Sequence, residues 1–142
     1  MVSCFRKASL AFGIGIVSVA CAHSITGATD GGRVQTGTWG GEHVAMTVTA
    51  GGAHLEFDCA SGDINQPLTL DSERRMAMDG VFVREHGGPV RDGETADRRP
   101  ARYSGRINGN TMTLGITLID SNENIGTFTL NYGAEPAVRK CL

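Results

Sequence analysis

The stretch TMTLGITL, residues 111–118, puts Met112, Leu114, Ile116 and Leu118 on one parity and Thr111, Thr113 and Thr117 on the other. A period of two is the mark of a β-strand with one buried face. The same period returns along most of the chain. HVAMTVT (43–49) sets Val44, Met46 and Val48 apart from its polar positions, and AHLEFDC (53–59) does so with Leu55, Phe57 and Cys59. ARYSGRI (101–107) offers Tyr103 and Ile107 against Arg102, Ser104 and Arg106. IGTFTLNY (125–132) offers Phe128, Leu130 and Tyr132. RRMAMDGVFVRE (74–85) alternates through Met76 and Met78 and then changes parity to Val81 and Val83, which predicts a β-bulge at Asp79-Gly80. INQPLTL (64–70), with Pro67 suited to an edge, and AVRKCL (137–142) read as weaker strands.

Turn chemistry separates these runs. Gly51-Gly52 and Asn108-Gly109 suit two-residue hairpin loops, and Ser61-Gly62-Asp63 and DSNEN (120–124) read as turns. About eight strands with short connections pair antiparallel, and no stretch reads as a helix. An open meander leaves two exposed edges, and closure removes them. The fold class is therefore all-β, with a single antiparallel up-and-down β-barrel favoured over a β-sandwich.

Residues 1–22 read as an export signal, with MVSCFRK as a basic start and ASLAFGIGIVSVA (8–20) as an apolar run. That run is shorter than the roughly 20 residues a spanning helix needs. Two cuts are open. Ala20-Cys21-Ala22 suits cleavage before His23, whereas Ser18-Val19-Ala20-Cys21 resembles a lipobox in which Cys21 is lipidated, with Ser18 departing from the usual Leu, Val or Ile. Residues 23–35, small and polar, read as a flexible tether, and 36–142 as the barrel domain. Export makes the protein periplasmic or secreted, with a membrane-anchored lipoprotein as the alternative.

Cysteine usage follows from the compartment. Cys4 and Cys21 fall within the signal region, and an exported chain joins the remaining Cys59 and Cys141.

Several function classes lack their residues. Thirteen basic residues balance 15 acidic ones, and removing residues 1–22 takes away Arg6 and Lys7, leaving 11 against 15. Such a balance supplies no basic stripe for nucleic acid. There is no G-x-S-x-G elbow and no phosphate-binding glycine loop, so an enzyme is not expected, and no cofactor is implied. His43, His54, Glu42, Glu56 and Asp58 raise the question of a metal. With Gly51-Gly52 as the turn, His43 faces residue 60, and the two histidines stand about 18 Å apart. His54, Glu56 and Asp58 share a face, but i and i+2 neighbours lie nearly ~7 Å apart, too far to share an ion. No metal site is expected. Residues 84–100 (REHGGPVRDGETADRRP) form the one long connection, either a solvated loop or a lid over a barrel mouth.

Gly37-Thr38-Trp39 opens the first strand. This Gly-x-Trp resembles the opening of lipocalins and avidins, and the resemblance implies an eight-stranded barrel with the Trp at one end. TGTWGGEH, EFDCA, VREHGGPV, ARYSGR and TFTL…KCL are similar to pieces of a family of small exported bacterial proteins of uncharacterised activity. That likeness implies an export signal and one β domain.

Two functions suit such a barrel. It holds a small apolar or amphipathic ligand, with Trp39 and Tyr103 as contacts and Met46, Met76, Met78 and Met112 as adaptable lining. Alternatively it is packed solid and acts as an interaction or inhibitor module on an envelope protein, for which exported barrel-shaped metalloprotease inhibitors are an analogy of fold alone.

Overall fold

In the computed structural model, residues 29–89 and 91–141 are described. The export signal, Cys4, Cys21 and tether residues 23–28 lie outside them. The alternating runs become β3 (Gly37–Gly41), β4 (Val44–Val48), β5 (Ala53–Phe57), β6 (Ala60–Ile64), β7 (Arg75–Arg84), β8 (Asp97–Asn108), β9 (Thr111–Leu118) and β10 (Asn124–Tyr132). They follow a short hairpin of β1 (Thr29–Asp30) and β2 (Arg33–Val34). The eight strands β3 to β10 close into one antiparallel barrel, in which β10 pairs with β3.

The parity read from β4, β5, β8 and β9 holds. Val44, Met46, Leu55, Tyr103, Ile107, Met112, Leu114, Ile116 and Leu118 all point inward and are buried in one cluster. Leu130 joins them, with Phe128 and Tyr132 half-buried at the margin. At about 25 cal/mol per Å² of apolar surface, burying each large side chain of such a cluster contributes roughly 1.5–3 kcal/mol.

The glycines behave differently from their reading as turns. Gly62 lies inside β6, so Ser61-Gly62-Asp63 is strand, and residues 65–74 are the connection. A Cβ on Gly62 would sit 2.3 Å from the Tyr103 hydroxyl, and one on Gly80 would sit 2.3 Å from the Asp63 carbonyl oxygen and 3.1 Å from the Tyr103 ring. Gly62 makes room for that ring, whereas Gly80 first of all lets the β6 backbone approach β7. No bulge forms at Asp79-Gly80, because the β7–β8 register is continuous from Arg75↔Arg106 to Arg84↔Asp97. Phe82 therefore points inward, while Val83 is buried outside the core cluster and shares a surface groove with Thr95 and Ala96.

Two hairpin turns move by one residue. Val48 pairs with Ala53, which makes Ala50-Gly51 the loop, and Asn108 pairs with Thr111, which makes Gly109-Asn110 the loop. Gly52 serves close approach instead, since a Cβ there would meet the Ile64 carbonyl oxygen at 2.0 Å.

One end of the barrel is covered by residues 29–36 and 65–74. Val34 N–H donates to the Leu68 carbonyl at 3.0 Å, and Leu70 N–H donates to the Gly32 carbonyl at 2.8 Å. Val34 and Leu68 are buried. The later part of the expected tether is thus fixed to the barrel by a hydrogen-bonded hairpin and a buried valine.

The C-terminal segment is a strap and not a strand. After Gly133 it turns back along β3, where Ala137 bridges Glu42 in parallel sense. Ala137 N–H donates to the Gly41 carbonyl at 3.0 Å, and His43 N–H donates to the Ala137 carbonyl at 2.9 Å. Gly40 permits the crossing, because a Cβ there would be 2.2 Å from the Ala134 carbonyl oxygen. Cys59 and Cys141 form a disulfide with a Cα–Cα distance of 5.1 Å, which pins the strap to the β5–β6 turn.

Candidate functional site

Trp39 and Tyr103, the expected ligand contacts, are both 0% exposed. Trp39 Nε1–H donates to the Gln35 carbonyl at 3.1 Å, and its ring meets Tyr132 edge-on at 5.3 Å between centroids. The Tyr103 hydroxyl donates to the Val81 carbonyl at 2.8 Å, and burial pushes its pKa well up, so it stays a neutral donor. Met46 and Met112 are 0% exposed, and Met76 packs against Gly105, where a Cβ would lie 2.8 Å from its methyl. The main surface pockets open elsewhere, and neither Trp39 nor Tyr103 lines them.

The polar groups gather where the strap meets the barrel. His43 occupies the β3–β4 turn with φ +65°, and its Nδ1 lies 2.6 Å from Asp58 Oδ2. It faces residue 58 and not 60, because the β4–β5 turn sits one residue earlier than expected. Asp58 also accepts the Arg139 N–H at 2.8 Å on Oδ1 and the Cys141 N–H at 2.9 Å on its carbonyl. The Arg139 amide, followed by the His43 ring, holds the Asp58 carboxyl below its ordinary range.

His54 stands on the outer face of β5 between two carboxylates, with Nδ1 at 2.7 Å from Asp63 and Nε2 at 2.7 Å from Glu56. Asp63 first and Glu56 second raise its pKa above 6.5. Both ring nitrogens are met by acceptors, an arrangement that suits the doubly protonated imidazolium. Glu56 also pairs with Lys140, whose ammonium reaches Glu85 at 3.1 Å. Burial pushes Glu56 upward, but Lys140 and His54 outweigh it and leave the carboxyl below its ordinary range. A His–Asp–Glu–Lys chain therefore links β5, β6, the strap and the start of the long loop.

That loop spans residues 85–96, shorter than the expected 84–100, because Asp97–Pro100 extend β8. It is tied at its base, where Glu85 N–H donates to the Cys59 carbonyl at 2.9 Å. His86 Nε2 pairs with Glu94, and its Nδ1 lies 3.1 Å from the Gly87 carbonyl. At the same end of the barrel, Arg84 reaches Glu123 at 2.5 Å and Arg99 reaches Asp120 at 2.6 Å. Below this rim Phe57 contacts Phe82 and Phe128, with centroids 5.7 and 5.1 Å apart. Phe128 and Ile125 are half-buried against the core.

Chemically the arrangement is a charged rim over an aromatic plug. Among the described residues, no group of three or more His, Cys, Asp or Glu side chains is placed to hold a metal ion. Sequence reasoning found Cys59, Cys141, His54 and Glu56 but not Asp63, Arg139 or Lys140. Asp63 was hidden in an apparent turn, and the strap residues meet their partners about 80 residues away in sequence. Comparison of the chain with family models, with curated proteins and with solved structures gave no match.

Proposed function

We propose that this protein is a packed, exported barrel that acts as an interaction module on another protein of the cell envelope. The buried interior carries the reading: Trp39, Tyr103, Met46 and Met112 are 0% exposed and line none of the main surface pockets, while Met76 and Met78 edge an outer groove beside Arg106. Recognition then falls to the rim, where the strap, the disulfide and the 85–96 loop meet. The disulfide supports an oxidising compartment. A rim fixed by covalent and ionic ties loses little side-chain entropy on binding, which favours affinity. The small-ligand reading keeps less support, since both of its named contacts already have polar partners within the protein.

The test is photo-cross-linking in the native host, with the reactive group at Asp92 or Glu135 near the rim and a control at Asn110 on the opposite end. The proposal expects one protein adduct at the rim positions, competed by excess unlabelled protein, and none at Asn110. Native mass spectrometry of the same material should give a bare chain. A carried small molecule that is lost on denaturation would overturn the proposal in favour of a ligand-binding barrel.

A further inference from the structure

The end of the barrel opposite the strap has a different chemistry. The turn at residues 71–75 is built by Asp71, whose Oδ1 accepts the Glu73 and Arg75 amides at 2.9 and 2.8 Å. Arg74 N–H donates to the Asp71 carbonyl at 3.0 Å, and the Arg74 carbonyl accepts the Ile107 amide at 3.0 Å. These bonds hold Arg74 at φ +58°, a left-handed conformation that is unfavourable for a residue with a side chain. An arginine kept at such a position invites a functional explanation.

Arg106 supplies a second observation. It lies directly opposite Arg75 on the outer face of the β7–β8 ladder, and like charges in that relation repel. Arg75 is compensated by Asp71 at 3.1 Å and Glu73 at 2.9 Å. Arg106 and Arg74 have no ion-pair or side-chain hydrogen-bond partner among the described residues. Both line one groove of about 780 Å³, together with Asn108, Thr111, Thr113 and Glu73. Arg106 pairs across the ladder with Thr113, and Asn108 with Thr111, so neutral donors flank the two guanidinium groups. The Thr111 hydroxyl is already given to Asn131, at 2.8 Å.

We propose that this groove binds a phosphate-type oxyanion, bridged between Arg74 and Arg106 with Thr113 and Asn108 as neutral donors. Guanidinium groups match phosphate oxygens in geometry as well as charge, and a bound anion removes the Arg75–Arg106 repulsion. The same chemistry is offered by a soluble phosphate ester and by the headgroup of an anionic phospholipid. The inference is independent of the rim and of the interaction-module reading.

The test is residue-resolved NMR of the ¹⁵N-labelled protein titrated with inorganic phosphate, with chloride at matched ionic strength as control. A second arm uses vesicles of phosphatidylcholine with and without phosphatidylglycerol. The proposal expects saturable shifts at the Asn108, Thr111 and Thr113 amides and at the Arg74 and Arg106 Nε–H signals. The shifts appear with phosphate and not chloride, and affinity falls roughly tenfold or more in R106Q and in R74Q but not in R98Q. A response to phosphate assigns a soluble ester. A response at the same signals to phosphatidylglycerol vesicles alone assigns a lipid headgroup. Equal shifts with chloride, unchanged affinity in R106Q and R74Q, or no response in either arm would overturn it.

Discussion

The contact between Gly62 and Tyr103 can be tested as a coupled pair. In Gly62→Ala, the new methyl would sit 2.3 Å from the Tyr103 hydroxyl and 3.2 Å from Cζ. The ring must move, and its 2.8 Å hydrogen bond to the Val81 carbonyl is lost. Leaving a buried polar group unsatisfied costs about 1–3 kcal/mol. Overpacking adds about 1–3 kcal/mol. Against this, replacing glycine stiffens the unfolded chain and returns about 0.4–1 kcal/mol. The clash wins, with a net loss of about 3 kcal/mol from the middle of these ranges. Tyr103→Phe removes the hydroxyl but keeps the ring, at about 1–2 kcal/mol. In the double variant the clashing atom is gone and the nearest contact is the tolerable 3.2 Å one. Its cost should therefore stay within about 1 kcal/mol of Tyr103→Phe alone, giving a coupling of about 2–3 kcal/mol. Urea unfolding followed by Trp39 fluorescence and circular dichroism measures all four proteins. Additivity of the two single changes within about 0.5 kcal/mol would refute the packing described here.

Three further outcomes follow from the strap and its neighbours. Reducing the disulfide, or replacing both cysteines with serine, removes a cross-link closing 82 residues and should cost roughly 4 kcal/mol by chain entropy, read as a lower melting temperature; an unchanged temperature would count against the tie. Gly40→Ala puts a methyl 2.2 Å from the Ala134 carbonyl oxygen, so it should lift the strap and speed carboxypeptidase trimming of residues 134–142 under reducing conditions; equal trimming rates would refute the close crossing. His54 should titrate above 6.5, and Asp63→Asn should lower its midpoint more than Glu56→Gln, as read from its ring protons by NMR. A raised folded pKa means that the His54 contribution to stability is fully present below 6.5 and fades as pH rises through the folded midpoint. A midpoint at or below 6.5 in the unaltered protein would refute the paired-carboxylate geometry.

The barrel was legible in the sequence because its evidence is local. Alternation in residues 44–48, 53–57, 101–107 and 111–118 fixes which side chains face inward, and a slip of one residue would expose all of them. The misread elements share a different cause. Gly62 and Gly80 carry the residue type of turns and bulges, yet Gly62 answers to a tyrosine on β8 and Gly80 to the Asp63 carbonyl on β6, which local pattern cannot reveal. Val83 looked like a core residue because it is apolar and alternates with Val81, but it is covered from outside the sheet. AVRKCL alternates too weakly to define a strand, and its disulfide and the hydrogen bonds of residues 137–141 hold it in place. Of the candidate site, the cysteines and half of the charged cluster could be found from residue type and parity. Lys140 and Arg139 could not, since nothing in their neighbourhood names Glu56 or Asp58 as partners.

An eight-stranded barrel has an interior just wide enough for side chains to fill or for one small ligand, and Trp39 and Tyr103 belong to a fully buried layer inside it. Here the two aromatics enter from β3 and β8, and the glycine at 62 is given over to fitting the second of them. Fixing that layer has a consequence for the surface, because close-packed interiors transmit strain and resist deformation. The rim at one end and the arginine groove at the other are therefore mounted on a stiff support. The charges they carry differ in kind. At the rim, carboxylates meet His43, Lys140, Arg84 and Arg99 in pairs already formed. A partner there exchanges or covers existing pairs, and the net electrostatic gain is small. At the groove, Arg74 and Arg106 face solvent beside an arginine that has taken the nearby carboxylates. Glu73 shares the groove but pairs with Arg75, so an arriving anion breaks no ion pair of Arg74 or Arg106. The rim is thus suited to shape-dependent contact with a protein and the groove to a small or headgroup anion.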